Sequence, residues 1–171
     1  MEENNQVLEL IKKAFELKEQ KSYKAAIEIL YKVLEVETDN IEVLFQIADI
    51  YFLMHIYSRS IQYLEKILAI VPEHIQSLTL TAKIKEREQD YNTELKIYQK
   101  LCSLQPNSHN LGNLINVLIK LKLFTEIEQY KNSEYFNEEV KIGCAQSLYS
   151  AGEEDQAFEY LKDCPEDDER V

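Results

Sequence analysis

The sequence predicts an all-α protein made of stacked antiparallel helix pairs, and three observations lead to this prediction. An amphipathic stretch recurs three times at intervals of 34 residues, as IEILYKVLEVET, IQYLEKILAIVP and LKIYQKLCSLQP. The sixth position of each copy is a lysine, namely Lys32, Lys66 and Lys100. The chain has only three glycines and three prolines in 171 residues, which favours long helices over many short strands. A helix pair cannot bury its apolar face alone, so stacking against a neighbour explains the fixed repeat.

The residues around each copy follow a known repeat pattern. In the second repeat, the spacing W-x2-L-G-x2-Y is met by Leu44, Ile47, Ala48 and Tyr51, and the later A, F and P positions by Ser60, Leu64 and Pro72. The first repeat matches through Leu10, Lys13, Ala14, Leu17, Ala26, Leu30 and Thr38, and the third through Leu78, Thr81, Ala82, Lys85, Glu94, Tyr98 and Pro106. The chain therefore resembles a tetratricopeptide-repeat (TPR) protein, most closely over residues 7–108 and more weakly over 109–164.

The resemblance implies a right-handed superhelical solenoid of about five repeats that forms a single domain over residues 1–171. The repeats span 7–40, 41–74, 75–107, 108–137 and 138–164, and an acidic tail follows at 165–171. The predicted helices span 4–19, 22–36, 41–54, 57–71, 74–88, 91–104, 108–121, 124–132, 136–150 and 153–163. Segments at 38–40, 72–73 and 106–108 are expected to end one helix and cap the next.

Two features depart from the repeat. Glu94 stands where a small residue is expected between paired helices. Either the third helix pair packs more loosely, or this carboxylate reaches the edge of the pair. The fourth repeat is short, because Phe124 and its equivalent Glu154 lie 30 residues apart instead of 34. About one helical turn is therefore expected to be missing there.

Composition and charge restrict the partners and the compartment. The chain has 31 acidic and 19 basic residues, for a formal net charge of −12. Such a surface repels phosphate backbones and anionic lipid, so neither nucleic acid nor a membrane is an expected partner. The charge serves either solubility alone or the attraction of a basic partner. The start, MEENNQVLEL, lacks the features of a secretory signal, and three cysteines without paired spacing predict a reducing, cytoplasmic setting.

The sequence contains no recognisable catalytic constellation. It lacks the motifs of a phosphate-binding loop, a helix-borne zinc site and a nucleophilic serine. The three histidines lie 19 and 35 residues apart, which does not favour metal binding. Cys102 and Cys144 are expected to be buried, whereas Cys164 near the end is expected to be the most reactive thiol. The sequence therefore predicts no enzyme activity, no metal and no cofactor.

The TPR resemblance implies a concave groove that is lined by the first helix of each repeat and receives an extended or helical peptide. The family pattern puts the second, fifth, ninth and twelfth positions of each repeat on this surface. The candidate partner-binding residues are Leu8, Ile11, Phe15, Glu42, Phe45, Asp49, Phe52, Lys83, Asn116, Ile119, Ile142 and Tyr149. Further positions of the same register are Lys18, Gln76, Thr79, Glu86, His109, Gly112, Glu139 and Gln146.

Three phenylalanines on this predicted surface need an explanation, because a solenoid helix already uses one face for packing. Phe15, Phe45 and Phe52 form an apolar groove for the anchors of a partner, or are covered by neighbouring side chains or the N-terminal segment, or are exposed without a role. Some family members clamp the acidic C-termini of chaperones with basic groove residues. Only Lys83 fits that pattern, so this kind of binding is not expected.

The leading hypothesis for function is a protein–protein interaction scaffold or adaptor. Its partner would be a protein or peptide with apolar anchors, and Glu42 and Asp49 would select basic flanks. Two alternatives stay open at this point. One is a structural protein that assembles with copies of itself as a homo-oligomer. The other is a regulatory TPR domain of a larger protein.

Overall fold

The computed structural model describes residues 2–162, and this part of the chain contains ten α-helices, one short 3₁₀ helix and no strand. The helices are α1 (Glu2–Glu19), α2 (Tyr23–Val36), α3 (Ile41–Leu53), α4 (Tyr57–Ile70), α5 (Ile75–Arg87), α6 (Tyr91–Leu104), α7 (Ser108–Lys120), α8 (Phe124–Ile127), α9 (Glu138–Ser150) and α10 (Glu154–Leu161). The all-α prediction is confirmed. The eighth helix is shorter than predicted, since α8 gives way to a 3₁₀ helix at Glu128–Tyr130.

The tight turns that join the helices of each pair repeat the same backbone geometry. The second residue after the first helix of each pair has a positive φ, at Lys21, His55, Gln89 and Lys122 (58–59°) and at Gly152 (81°). The next residue closes each turn with a backbone hydrogen bond; for example, the amide of Ser22 donates to the carbonyl of Leu17 at 2.8 Å. This 6→1 bond is the Schellman ending of a helix. The last interval, from Lys122 to Gly152, spans 30 residues and matches the short fourth repeat.

Side-chain oxygens cap the start of four of the described helices. The side-chain oxygens of Asn40, Asp90, Asn107 and Asn137 accept the backbone N–H three residues later, at 2.8–3.2 Å. Each bond satisfies an amide that would otherwise lack a partner in the first helical turn. The capping roles predicted for segments 38–40 and 106–108 are therefore confirmed, through Asn40 and Asn107. Before α5 the cap is not in segment 72–73, because the amide of Ser77 donates to Nδ1 of the following residue, His74, at 3.3 Å.

The helices form two compact units, the first ending at Ile84 and the second beginning at Lys85. In the first unit, α1 packs on α2 and α3 packs on α4. The pairs cross at small residues: Ala14, Ala26, Ala48 and Ser60 have no exposed surface. The Ser60 hydroxyl donates to the Ala48 carbonyl at 2.7 Å, so α3 and α4 approach closely at this point.

In the second unit α7 is the central helix, because it packs against α6, α8 and α9. Its apolar side chains are buried on more than one side, and include Leu114, Ile115, Val117 and Leu118. Helix α9 in turn packs on α10. The first helices of two successive repeats, α7 and α9, therefore lie side by side. The single domain predicted for residues 1–171 stays a prediction.

Replacing Ala48 with Trp should lower the free energy of unfolding by about 1–3 kcal/mol or more, because a large side chain cannot fit the close α3–α4 crossing. Urea unfolding monitored by circular dichroism measures this loss. Ala69→Trp is the matched control, since Ala69 is an exposed alanine of α4, and it should change stability by less than about 0.5 kcal/mol. Equal effects of the two substitutions would show that the crossing is not tightly packed.

Candidate partner-binding surface

The predicted groove residues of the first unit differ widely in exposure. Leu8 is 63% exposed, and Glu42 and Lys83 are also exposed. Ile11 and Phe15 are half-buried, and Ile11 packs against the core formed by α1, α2 and α3. Of the apolar residues predicted to line the groove in this unit, Leu8 is therefore the one whose side chain is largely exposed.

Phe45 and Phe52 are half-buried and contact aromatic side chains of the same unit. The Phe45 ring lies 5.9 Å from that of His74, edge to face, and the Phe52 ring lies 5.7 Å from that of Tyr57. Both phenylalanines pack against the buried cluster of Ala48, Leu64, Leu80 and Ile84. These contacts favour the alternative in which neighbouring side chains cover the phenylalanines.

Asp49 is paired within the chain. The ammonium group of Lys18 lies 2.5 Å from the Asp49 carboxylate and also donates to Gln46 Oε1 at 2.7 Å. Lys18 of α1 and Asp49 of α3 both occupy predicted groove positions, and their opposite charges neutralise each other there. Of the two acidic residues predicted to select basic flanks, Glu42 is the one whose charge stays open to solvent.

The second unit contains an open cleft between α7 and α9, with a volume of 680 Å³. All four register positions of the fourth repeat line it: His109, Gly112, Asn116 and Ile119. Seven of the other lining residues are polar or charged, namely Ser108, Asn113, Lys120, Glu139, Gln146, Ser147 and Ser150, and the rest are small or apolar. The cleft therefore offers a ligand both apolar contact and a set of hydrogen-bonding groups that can fix its orientation.

Three of the predicted residues of α7 and α9 do not offer an open side chain to this cleft. Ile119 and Ile142 are only 2% and 3% exposed, because they pack into the core of the second unit, which corrects the expectation that both are accessible. Tyr149 is 66% exposed but lines a different cavity of 570 Å³ with Phe158 and Leu161. Asn116 alone of the four predicted residues in this unit is both in the cleft and partly exposed.

Two glycines in the middle of helices line the cleft, and packing does not require either of them. A Cβ added at Gly143 would meet no atom within 4 Å, and one added at Gly112 would touch only Val140 Cγ2, at 3.9 Å. Glycine in a helix interior costs roughly 0.5–1 kcal/mol relative to alanine. Gly143 was not predicted as a site residue, although a mid-helix glycine in a chain with three glycines is a signal in the sequence.

The two described cysteines are shielded from solvent to different degrees, with Cys144 buried and Cys102 half-buried. Burial raises the pKa of the Cys102 thiol to about 11 and that of Cys144 to about 12, so both are protonated at neutral pH and poor nucleophiles. Within residues 2–162, no His, Cys, Asp or Glu side chains cluster as metal ligands do, and none of the described helices is long and apolar enough to span a bilayer. Cys164 and the acidic tail lie outside the described residues.

Glu94 is enclosed between helices of the second unit and does not reach the edge. It is 2% exposed, and its Oε2 finds no hydrogen-bond partner among the described residues. Burial raises the pKa of Glu94 from 4.5 to about 7; the charge of Lys120 lowers this pKa and that of Glu86 raises it. Lys120 itself binds Glu86 at 2.7 Å and lies 5.3 Å from the centre of the Tyr91 ring.

Comparison with known proteins agrees with the tetratricopeptide-repeat resemblance of the sequence. A tetratricopeptide-repeat family model matches residues 17–84. Among solved structures, MamA AMB-1 is 18% identical, covers 93% of this chain and 90% of its own, and has a TM-score of 0.69. A second MamA structure is 14% identical over 91% and 88% of the two chains, with a TM-score of 0.73. YrrB, described as a TPR protein with an unusual peptide-binding site, is 15% identical over 89% and 81%, with a TM-score of 0.69. Among curated proteins, none matches this sequence.

Phe45→Ala should lower the free energy of unfolding by about 1–3 kcal/mol, because it removes half-buried contacts with His74 and the core. Leu8→Ala is the control, since Leu8 is largely exposed, and it should change stability by less than about 0.5 kcal/mol. Thermal and urea unfolding measure both effects. An unchanged stability in Phe45→Ala would show that the Phe45 ring does not stabilise the fold and is available to anchor a partner.

Glu94 should make the protein less stable as the pH rises from 4.5 to 7. Its pKa is higher in the folded state than in the unfolded chain, so the folded state binds more protons in this window, and stability falls until the group is fully ionised. The loss should be about 1–3 kcal/mol. Urea unfolding between pH 4 and 8.5 measures it, and subtracting the curve of Glu94→Gln isolates this group from other carboxylates. A pH-independent difference between the two proteins would contradict the assignment.

Proposed function

We propose that this chain, which is a tetratricopeptide-repeat protein, is an interaction scaffold that holds an extended segment of a partner protein in the α7–α9 cleft. TPR proteins of this fold are in general protein-binding scaffolds. The groove positions that the repeat register predicts in the fourth repeat all line the cleft. That YrrB has a peptide-binding site is consistent with a peptide ligand here.

The observation that carries the proposal is the pair of glycines, Gly112 and Gly143, on the two helices that border the cleft. Neither glycine relieves a clash inside the chain, yet each weakens its helix. A missing side chain on both walls lets another backbone approach closely. We infer that the backbone of the partner passes between these two positions.

The polar side chains around the glycines fit the backbone of an extended peptide. A main chain that is not in a helix or sheet carries unpaired N–H and C=O groups, which need partners when they leave water. Asn116 is well suited to this role, because its amide both donates and accepts hydrogen bonds and makes none within residues 2–162. The side-chain amide nitrogen of Asn113 lies 3.2 Å from Nε2 of His109, and this contact holds the Asn113 side chain in one orientation.

The charge of the protein favours a partner with basic residues beside the bound segment. The net charge is −12, and Glu139 in the first turn of α9 brings a carboxylate to the cleft. Electrostatic attraction of this kind raises the association rate and disfavours acidic partners. The exposed Leu8 and the half-buried Phe15 offer a separate apolar surface in the first unit for anchors of the same partner. The unpaired cysteine pattern supports placing the protein in the cytoplasm.

Gly143→Leu provides a test in which stability and binding should change in opposite directions. Leucine fills the cleft but is the better helix former, so the free energy of unfolding should rise by roughly 0.5–1 kcal/mol. Binding should fall at least tenfold, because the side chain occupies the path of the partner's backbone. A random peptide library displayed on phage and selected on the full chain supplies the ligand, and fluorescence anisotropy measures its affinity.

Gln99→Leu is the matched control, since Gln99 is an exposed residue of α6 that does not line the cleft. It should bind the selected peptide as the wild type does. If Gly143→Leu also binds normally, the peptide occupies another surface and the proposed site is wrong. If repeated selections yield no peptide that binds the wild-type protein, the proposal of an extended ligand is wrong.

A further inference from the structure

The second unit encloses a carboxyl group for which the binding function gives no reason. At the position of Glu94, the first two repeats have Ala26 and Ser60, which are fully buried at the crossing of their helix pairs. Glu94 is as deeply placed, and its Oε2 has no hydrogen-bond partner among the described residues. Burying an unpaired polar atom costs free energy, and burying a charged one costs more. A residue that costs stability at such a position calls for a functional explanation.

Glu94 is surrounded by titratable groups from three helices. Lys120 comes from the end of α7, Glu86 from the last turn of α5, and Tyr98 lies one turn further along α6. Burial and the charges of Glu94 and Glu86 raise the pKa of Tyr98 to about 12, so the phenol stays neutral at physiological pH. The positive charge of Lys120 lowers the pKa of Glu94 and so favours its ionised form. The negative charge of Glu86 raises that pKa and opposes ionisation.

Lys120 connects this buried group to the cleft. Its ammonium group binds Glu86 Oε1 at 2.7 Å, and the same side chain lines the α7–α9 cleft. One ammonium group thus lies within electrostatic reach of two carboxyl groups, of which one is buried and one is nearly half exposed. When the buried carboxyl group ionises, its attraction for Lys120 increases because water screens it poorly.

We propose that Glu94 and Glu86 compete for Lys120, so that a proton bound inside the second unit controls the charge that Lys120 presents to the cleft. With Glu94 protonated, Lys120 stays on Glu86 at the wall of the cleft. When Glu94 loses its proton, Lys120 moves inward and Glu86 is left as an unpaired carboxylate. The proposal rests on the proposed function only in taking the cleft as the binding surface.

Nuclear magnetic resonance of the full chain tests the competition without a peptide. Between pH 5 and 9, the side-chain carboxyl carbon of Glu94, the Nζ of Lys120 and the backbone amides of Asn116 and Gly143 should all shift with one common midpoint near neutrality. Glu94→Gln should abolish that shared transition. Glu86→Gln should lower the midpoint, because it removes a like charge, and Lys120→Met should raise it, because it removes the stabilising cation.

Glu88→Gln is the matched control, since Glu88 also pairs with a lysine of this unit, Lys85, at 2.8 Å. It should leave the midpoint unchanged. A Glu94 carboxyl group that titrates near 4.5 would overturn the proposal. So would a transition near neutrality that leaves Lys120 and the cleft amides unshifted, because Glu94 would then not control the cleft. Failure of the peptide selection would contradict the proposed function alone, since this titration involves no peptide.

Discussion

The close crossing of paired helices at a small residue is the constraint on which the rest of the structure depends. In the first unit the crossing residues have no exposed surface, and the Ser60 hydroxyl ties α4 to the backbone of α3. The separation of two packed helices depends on the side chains at their contact. The left-handed turn after each first helix then returns the chain to the same crossing. In the third repeat Glu94 takes the place of the small residue, and the repeat encloses a carboxyl group.

The same backbone frame produces two surfaces with different chemistry. In the first unit, phenylalanines occupy several groove positions, and residues outside the groove cover them, as His74 does Phe45 and Tyr57 does Phe52. In the second unit, α7 and α9 present glycine, serine and asparagine, so the space between them stays open. Because a repeat fold fixes the backbone and leaves the groove side chains free to vary, function follows from side-chain size and polarity.

Lys120 links the interior of the second unit with its surface. Its ion pair with Glu86, its position over the Tyr91 ring and its place in the cleft all depend on the last turn of α7. The short fourth repeat contributes to this arrangement, because α8 is a single turn and leaves α7 to pack mainly on α6 and α9. The helix that lines the cleft is thus also the helix that contacts the titrating interior.

The sequence by itself determined the helices, their turns and their caps, because these depend on interactions among residues a few positions apart. Three features can be predicted from such local patterns: the amphipathic period of the helices, the capping segments that contain Asn40 and Asn107, and the 30-residue interval of the short repeat. Only the tertiary structure decided the fate of individual side chains, since burial depends on residues that are distant in sequence. Ile119 and Ile142 share the register of exposed positions but are buried, and the open cleft exists only once α9 lies beside α7.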